Sequence, residues 1–194
     1  MEILLGIEHL HQKNIIYRDL KAQNVLLDSA GHCRISDLGL ACYLEPGTFK
    51  ESTTGTIGYM APEVLKKEKY GLWVDWWSFG CLLFEMLKGR PPFSENHKLS
   101  RRELKDNTLF KEVVIPEYIS EVAACLIKKL LVKKKEERLG FLDALLIKEE
   151  LFFKSYSWSA LQLKRVDPPF FPEENRILSS GVSTSSDAKS CGVY

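Results

Sequence analysis

The chain has little that would mark it for an oxidising compartment, a metal cage, a membrane or a nucleic acid. Its five cysteines, Cys33, Cys42, Cys81, Cys125 and Cys191, are scattered and odd in number, with no C-x-x-C pair. That spacing argues against a zinc site or a dense disulfide framework and leads to an expectation of free thiols in a reducing, cytoplasmic setting. No apolar run is long enough to span a bilayer, and the first residues lack the basic, apolar and small-residue succession of a secretory signal. Charge of one sign is in no excess: Lys+Arg number 27 and Asp+Glu 26, a net charge of +1. Bulk electrostatics therefore gives no footprint for nucleic acid. What remains is a chain of 194 residues, 45% hydrophobic and 27% charged, with the size and composition of one domain that buries a real core.

The most informative stretch runs from Tyr17 to Leu40. It reads Y-R-D-L-K-A-Q-N-V-L-L-D, then S-A-G-H-C, then R-I-S-D-L-G-L. The apolar run Val25-Leu26-Leu27, a turn at Asp28 to Gly31 and the return through Cys33, Arg34 and Ile35 predict a small β-hairpin. Such a hairpin brings Asp37 back toward Asn24. Two oxygen donors then converge on one place, which suits Mg²⁺, a hard cation that takes one or two protein oxygens together with waters and phosphates. Asp19 lies beside that place, where it could accept the proton of an attacking hydroxyl. Lys21 supplies positive charge where a transferred phosphoryl group gains negative charge. Read blandly, the same stretch is a polar hairpin whose Asp and Asn side chains only form turns.

Elsewhere the pattern is largely helical. Ile3, Ile7 and Leu10 recur at helical spacing up to about Lys13, where Asn14 is placed to end the helix in a left-handed turn. His9 and His11 are two residues apart and so lie on different faces, against joint metal ligation. Glu45-Pro46-Gly47 and T-T-G-T-I-G-Y-M-A-P-E read as an irregular segment. Val74 to Gly89 predicts a helix apolar nearly all round, with Asp75 as N-cap and Gly89 just past its end, hence a helix at the centre of the domain. Ser100 and Glu103 form a capping box, and Ser120 opens a further helix whose inner side carries Val122, Ala123, Leu126, Ile127, Leu130 and Leu131. The run Lys133-Lys134-Lys135 reads as a solvated helix end. A last helical segment is expected near Leu142 to Phe152, and after Pro172 the composition turns to Ser, Thr and Gly, too poor in apolar residues to fold alone.

The order R-D-L-K-x-x-N, then D-L-G, then A-P-E resembles the catalytic loop, magnesium loop and substrate segment of protein kinases. Lys21 after R-D-L is similar to serine/threonine kinases. Tyr17 in place of the usual histidine, with G-T-I-G-Y-M-A-P-E and E-R-L-G, resembles the AGC group. R-I-S-D-L-G-L-A, D-W-W-S-F-G-C-L-L-F-E-M and P-P-F-F-P resemble the G protein-coupled receptor kinases, with E-R-L-G-F and the Ser-rich tail most like the visual branch.

The resemblance implies a mainly α fold, the large C-terminal lobe of a kinase, with a small β-hairpin carrying the catalytic and magnesium loops. It implies a lobe over residues 1–155, the start of an AGC-type extension over 156–172 and a disordered tail over 173–194. It implies ATP and Mg²⁺ as cofactors, Asp19 as base, Lys21 as charge stabiliser, and Asn24 and Asp37 as metal ligands. Arg18 would receive a phosphate placed on Ser52, Thr53 or Thr54, Glu63 would pair with Arg138, and Asp75 would brace the catalytic loop. Its implied partner is an activated receptor. Cys191 in the closing Cys191-Gly192-Val193-Tyr194 is a candidate lipid attachment that would bring a cytoplasmic protein to the membrane.

Two departures stand beside this. Ala22-Gln23 occupies the place of the usual Pro-Glu, and the glycine-rich loop, strand lysine and helix glutamate of a small lobe do not occur. The expectation is thus a large lobe only. The alternative to an active kinase is a non-catalytic large-lobe fragment, either a module that binds partners through its platform or through the surface vacated by a small lobe, or an inactive truncated product.

Overall fold

The computed structural model describes residues 1–94, 99–170 and Pro172. The expected tail and Cys191 lie outside the described residues. Helices dominate: α1 (Glu2–Gln12), α2 (Pro62–Lys66), α3 (Val74–Lys88), α4 (Arg101–Phe110), α5 (Glu121–Leu130), α6 (Leu145–Lys148) and α7 (Trp158–Gln162). Four short strands complete it: β1 (Ile15–Ile16), β2 (Val25–Leu27), β3 (Cys33–Ile35) and β4 (Cys42–Tyr43). This is the expected mainly helical lobe with a small hairpin.

The centre is α3. Trp76, Trp77, Phe84 and Leu82 are almost wholly enclosed, and around them lie Leu4 and Ile7 of α1 and Leu126, Ile127 and Leu130 of α5. The crossing of α3 and α5 is close because Gly80 has no side chain; a Cβ there would sit 2.8 Å from that of Leu130. Trp77 stacks on Phe93 with ring centres 5.8 Å apart, and the Arg138 guanidinium lies over the same indole at 5.0 Å. Burial of this many large rings supplies the main driving force for the fold.

The hairpin forms in the register that the sequence suggests: Val25 faces Ile35, Leu26 faces Arg34 and Leu27 faces Cys33. Its turn is tied by Asp28, whose Oδ1 accepts from the N–H groups of Ala30 and His32. Asn14 adopts a positive φ of 55° just after α1, as its left-handed role requires. Both Ser100 bonds of the capping box are present, and Ser120 accepts from Ala123 N at the start of α5.

Some details differ from expectation. Asp75 does not cap α3; the N-cap is Trp73, and the Asp75 carboxylate serves the loop at Tyr17 and Arg18 instead. α3 is not buried all round in its last turn, where the apolar Met86 and Leu87 are 54% and 40% exposed. Val122 lies on the outer side of α5 at 41% exposure. The segment expected as one helix from Leu142 to Phe152 is a single turn, α6, followed by a tighter turn at Leu151–Phe153. The pairing of β1 with β4, Ile15 opposite Tyr43 and Ile16 opposite Cys42, was not visible in the sequence. Two-residue strands are too short to show a period of two.

Candidate active site

The catalytic-loop stretch leaves β1 and turns sharply at Arg18, whose φ is 70°. A non-glycine residue held there needs an external grip. Asp75 provides it: the fully buried carboxylate accepts from Tyr17 N and Arg18 N, each at 2.8 Å, and its Oδ2 also lies 2.8 Å from His11 Nε2. The loop is thus anchored to the first turn of the central helix. Buried backbone donors are satisfied by a charged acceptor, a strong form of hydrogen bond.

Asp19 follows at once, buried, with both carboxylate oxygens engaged. Oδ1 accepts from Thr56 Oγ1 at 2.6 Å; Oδ2 accepts from Lys21 Nζ at 2.7 Å and from Asn24 Nδ2 at 3.2 Å. Burial pushes its carboxyl up, but the hydrogen bonds from Lys21 and Thr56, the Lys21 charge and the Asn24 amide outweigh burial, so it stays below the usual carboxylate range. Lys21 Nζ also donates to Thr56 Oγ1 at 3.0 Å. Asp19, Lys21 and Thr56 form a closed triangle.

Asn24 ends a short 3₁₀ turn at Ala22–Asn24 and is buried. Its Nδ2 donates to Asp19 O at 2.9 Å as well as to Asp19 Oδ2. With the amide N–H side committed to Asp19, the oxygen Oδ1 is the side offered to a cation. The hairpin register then brings in the second donor. Ser36 N donates to Asn24 O at 2.9 Å, which sets residue 36 opposite residue 24 and Asp37 one step beyond. Asp37 is exposed, with a φ of 53°, and its Oδ1 accepts from Gly39 N at 3.1 Å.

Tyr17 joins the two loops. Its hydroxyl donates to Ser36 O at 2.5 Å. Burial, opposed by a hydrogen bond from Asn24 and reinforced by the nearby carboxylates of Asp19, Asp37 and Asp75, pushes its phenol up to about 12. All three acids thus crowd one tyrosine. Their field is what a bound cation would neutralise, and the donor set of one amide oxygen and one exposed carboxylate fits Mg²⁺ better than zinc. Among the described residues no group of three or more His, Cys, Asp and Glu side chains could hold a metal ion unaided. A cation here would be completed by waters and phosphate oxygens.

The remaining site residues lie around this centre. Arg18 donates through Nε to Leu40 O at 2.6 Å and through a terminal nitrogen to Ser52 Oγ at 3.3 Å. Glu63 at the start of α2 and Arg138 form a two-pronged buried pair at 2.7 and 2.9 Å. Thr56 and the Tyr59–Glu85 bond of 2.6 Å were missed in the sequence; the T-I-G-Y run between Gly55 and Met60 was the signal for both.

A site of this composition on this fold defines a class. The protein kinase domain model matches residues 1–151, and the chain belongs to that family. Ribosomal protein S6 kinase beta of Caenorhabditis elegans is 45% identical over 174 residues, 88% of this chain and 31% of that protein. The rat rhodopsin kinase GRK1 is 40% identical over 185 residues, 93% of this chain and 33% of that protein. A rhodopsin kinase of Xenopus laevis, grk7-b, is 42% identical over 192 residues, 96% of this chain and 34% of that protein. The chain spans about a third of the length of these relatives. The expected likeness to AGC-group and receptor kinases agrees with them.

Proposed function

We propose that this chain is the large lobe of an ATP-dependent serine/threonine kinase of the receptor-kinase type, acting on activated G protein-coupled receptors at the cytoplasmic face of a membrane. The observation that carries the kinase reading is the Asp19 triangle set beside Asn24 and Asp37. Asp19, held anionic by Lys21 and Thr56, accepts the proton of a serine or threonine hydroxyl. Lys21 carries charge next to the transferred group. Asn24 and Asp37 would hold Mg²⁺, which when bound neutralises the phosphate oxygens of ATP. The exposed Leu26 and Leu27 of the hairpin, 52% and 50% accessible, offer an apolar wall beside that site.

The receptor as substrate rests on the likeness to the two proteins named rhodopsin kinase. A lipid on Cys191 would add membrane association. The test is transfer of labelled phosphate from ATP to receptor-bearing membranes by the protein as the cell makes it. Transfer to activated receptor, lost in Asp19→Asn and Asp37→Ala, is the expected result. Undiminished transfer by Asp37→Ala overturns the catalytic assignment; equal transfer to resting receptor overturns the substrate assignment.

A further inference from the structure

The segment between Lys50 and Thr56 is gripped by a residue to which neither the motifs nor the site chemistry gives a role. Tyr70 is fully buried in the stretch between α2 and α3. Its backbone pairs with Lys50 in both directions, Lys50 N to Tyr70 O at 2.9 Å and Tyr70 N to Lys50 O at 2.8 Å. Its hydroxyl then reaches two residues further along the segment and lies 3.0 Å from Ser52 Oγ. Ser52 Oγ is a node: it also receives Arg18 at 3.3 Å and Thr54 Oγ1 at 3.1 Å. From Arg18 the connection passes to the site. A Cβ on Gly55 would sit 2.4 Å from Arg18 O, so the segment presses directly on the backbone that precedes Asp19, and the next residue is Thr56, which bonds Asp19.

We infer that Tyr70 is a positioning residue that latches this segment through the Ser52 hydroxyl onto Arg18, so that Thr56 is held on Asp19 without a phosphate on Ser52. Three uncharged hydroxyls and one guanidinium form the latch, and a buried phenol fixes its far end. A phosphate or carboxylate at residue 52 would bond Arg18 directly and make the Tyr70 hydroxyl dispensable. The consequence for phosphoryl transfer rests on the kinase reading above; the latch itself does not, and its test needs no activity.

Tyr70→Phe keeps the buried ring and removes only the hydroxyl. Amide hydrogen exchange in the 194-residue chain then reads the segment at the Lys50 and Tyr59 N–H groups, which bond Tyr70 O and Thr56 O. Loss of one hydrogen bond predicts exchange at both about five- to tenfold faster, with the α3 and α5 amides unchanged. Ser52→Asp added to Tyr70→Phe should return both rates to those of the parent chain, because the new carboxylate pairs with Arg18. Unchanged exchange in Tyr70→Phe overturns the inference. So does faster exchange that Ser52→Asp fails to correct, since the Tyr70 hydroxyl would then act on the segment by a route other than the Ser52–Arg18 connection.

Discussion

Glu63 and Arg138 meet 75 residues apart in the chain, at 2.7 and 2.9 Å, with side chains only 2% and 0% accessible. Arg138 also donates to Val132 O at 2.9 Å and lies over the Trp77 ring, so its charge, each of its three nitrogens and its flat face are engaged. Trp73 Nε1 donates to Glu63 Oε1 at 3.1 Å. This cluster ties the segment that ends in α2 to the loop after α5. A buried pair of this kind contributes little over a well-packed apolar replacement, but losing one member strands the other. Arg138→Ala is therefore expected to lower the unfolding free energy by roughly 3–5 kcal/mol, measured by urea denaturation. Glu63→Leu combined with Arg138→Met should lose clearly less than either single change.

The Asp75 carboxylate makes a separate prediction. Asp75→Asn keeps the size but replaces one acceptor oxygen by an N–H₂ that faces either the donor Arg18 N, or the donor Tyr17 N together with the His11 ring. Hydrogen bonds to a charged group contribute about 1.5–3 kcal/mol, and a loss of that order is expected. Hydrogen exchange should place the loss at Tyr17 and Arg18 first. A uniform loss across α3 would mean that Asp75 acts on its own helix.

Only some of this was legible in the sequence, and the residues show why. Ser100 with Glu103, Ser120 and Asn14 announce local geometry, because a cap or a left-handed turn depends on neighbours a few residues away. The hairpin was legible for the same reason. Asp75 sits where a cap belongs, and local rules assign it there; its true partners lie 57 and 58 residues back, a tertiary choice no local window contains and one that only the family resemblance implied. Trp158–Gln162 went unread although Ser157 caps it, accepting from Ala160 N, because five residues are too few to display a helical stripe. The site residues Asp19, Asn24 and Asp37 stood out through motif order, whereas Thr56 and Tyr70 act through hydroxyls that carry no signature of their own.

Tyr17 yields a pH dependence. Its phenol is raised from 10.0 to about 12 in the folded chain. Below the ordinary value the phenol is neutral in both folded and unfolded chains, and its contribution to stability is complete. Between the two values only the unfolded chain loses the proton, so stability falls as pH rises through that window. Tyr59 is shifted in the same direction by burial and by its bond to Glu85. Unfolding free energy followed from pH 9 to 12 should drop less steeply in Tyr17→Phe than in the parent chain. Parallel curves would contradict the burial of this hydroxyl against Ser36 O.

Gly55 holds a φ of 119° and has Arg18 O where a Cβ would lie, at 2.4 Å. Gly55→Ala must therefore move the segment or the catalytic loop. A loss of about 1–3 kcal/mol is expected for the backbone alone. The same change at Gly47, where nothing lies within 4 Å, carries the positive-φ cost without the collision and should be milder. Thermal unfolding of the two variants side by side gives the comparison.

The central claim is that Asp37 and Asn24 hold a cation that a nucleotide completes, next to Asp19. Paramagnetic broadening of backbone resonances by Mn²⁺ with ATP tests it most directly, because broadening falls off steeply with distance from the ion and needs no turnover. The account predicts that residues 19–25 and 36–39 broaden first, and that Asp37→Ala and Asn24→Ala each remove the effect while leaving the spectrum of α3 and α5 in place. Broadening centred elsewhere, or undiminished in Asp37→Ala, would contradict it.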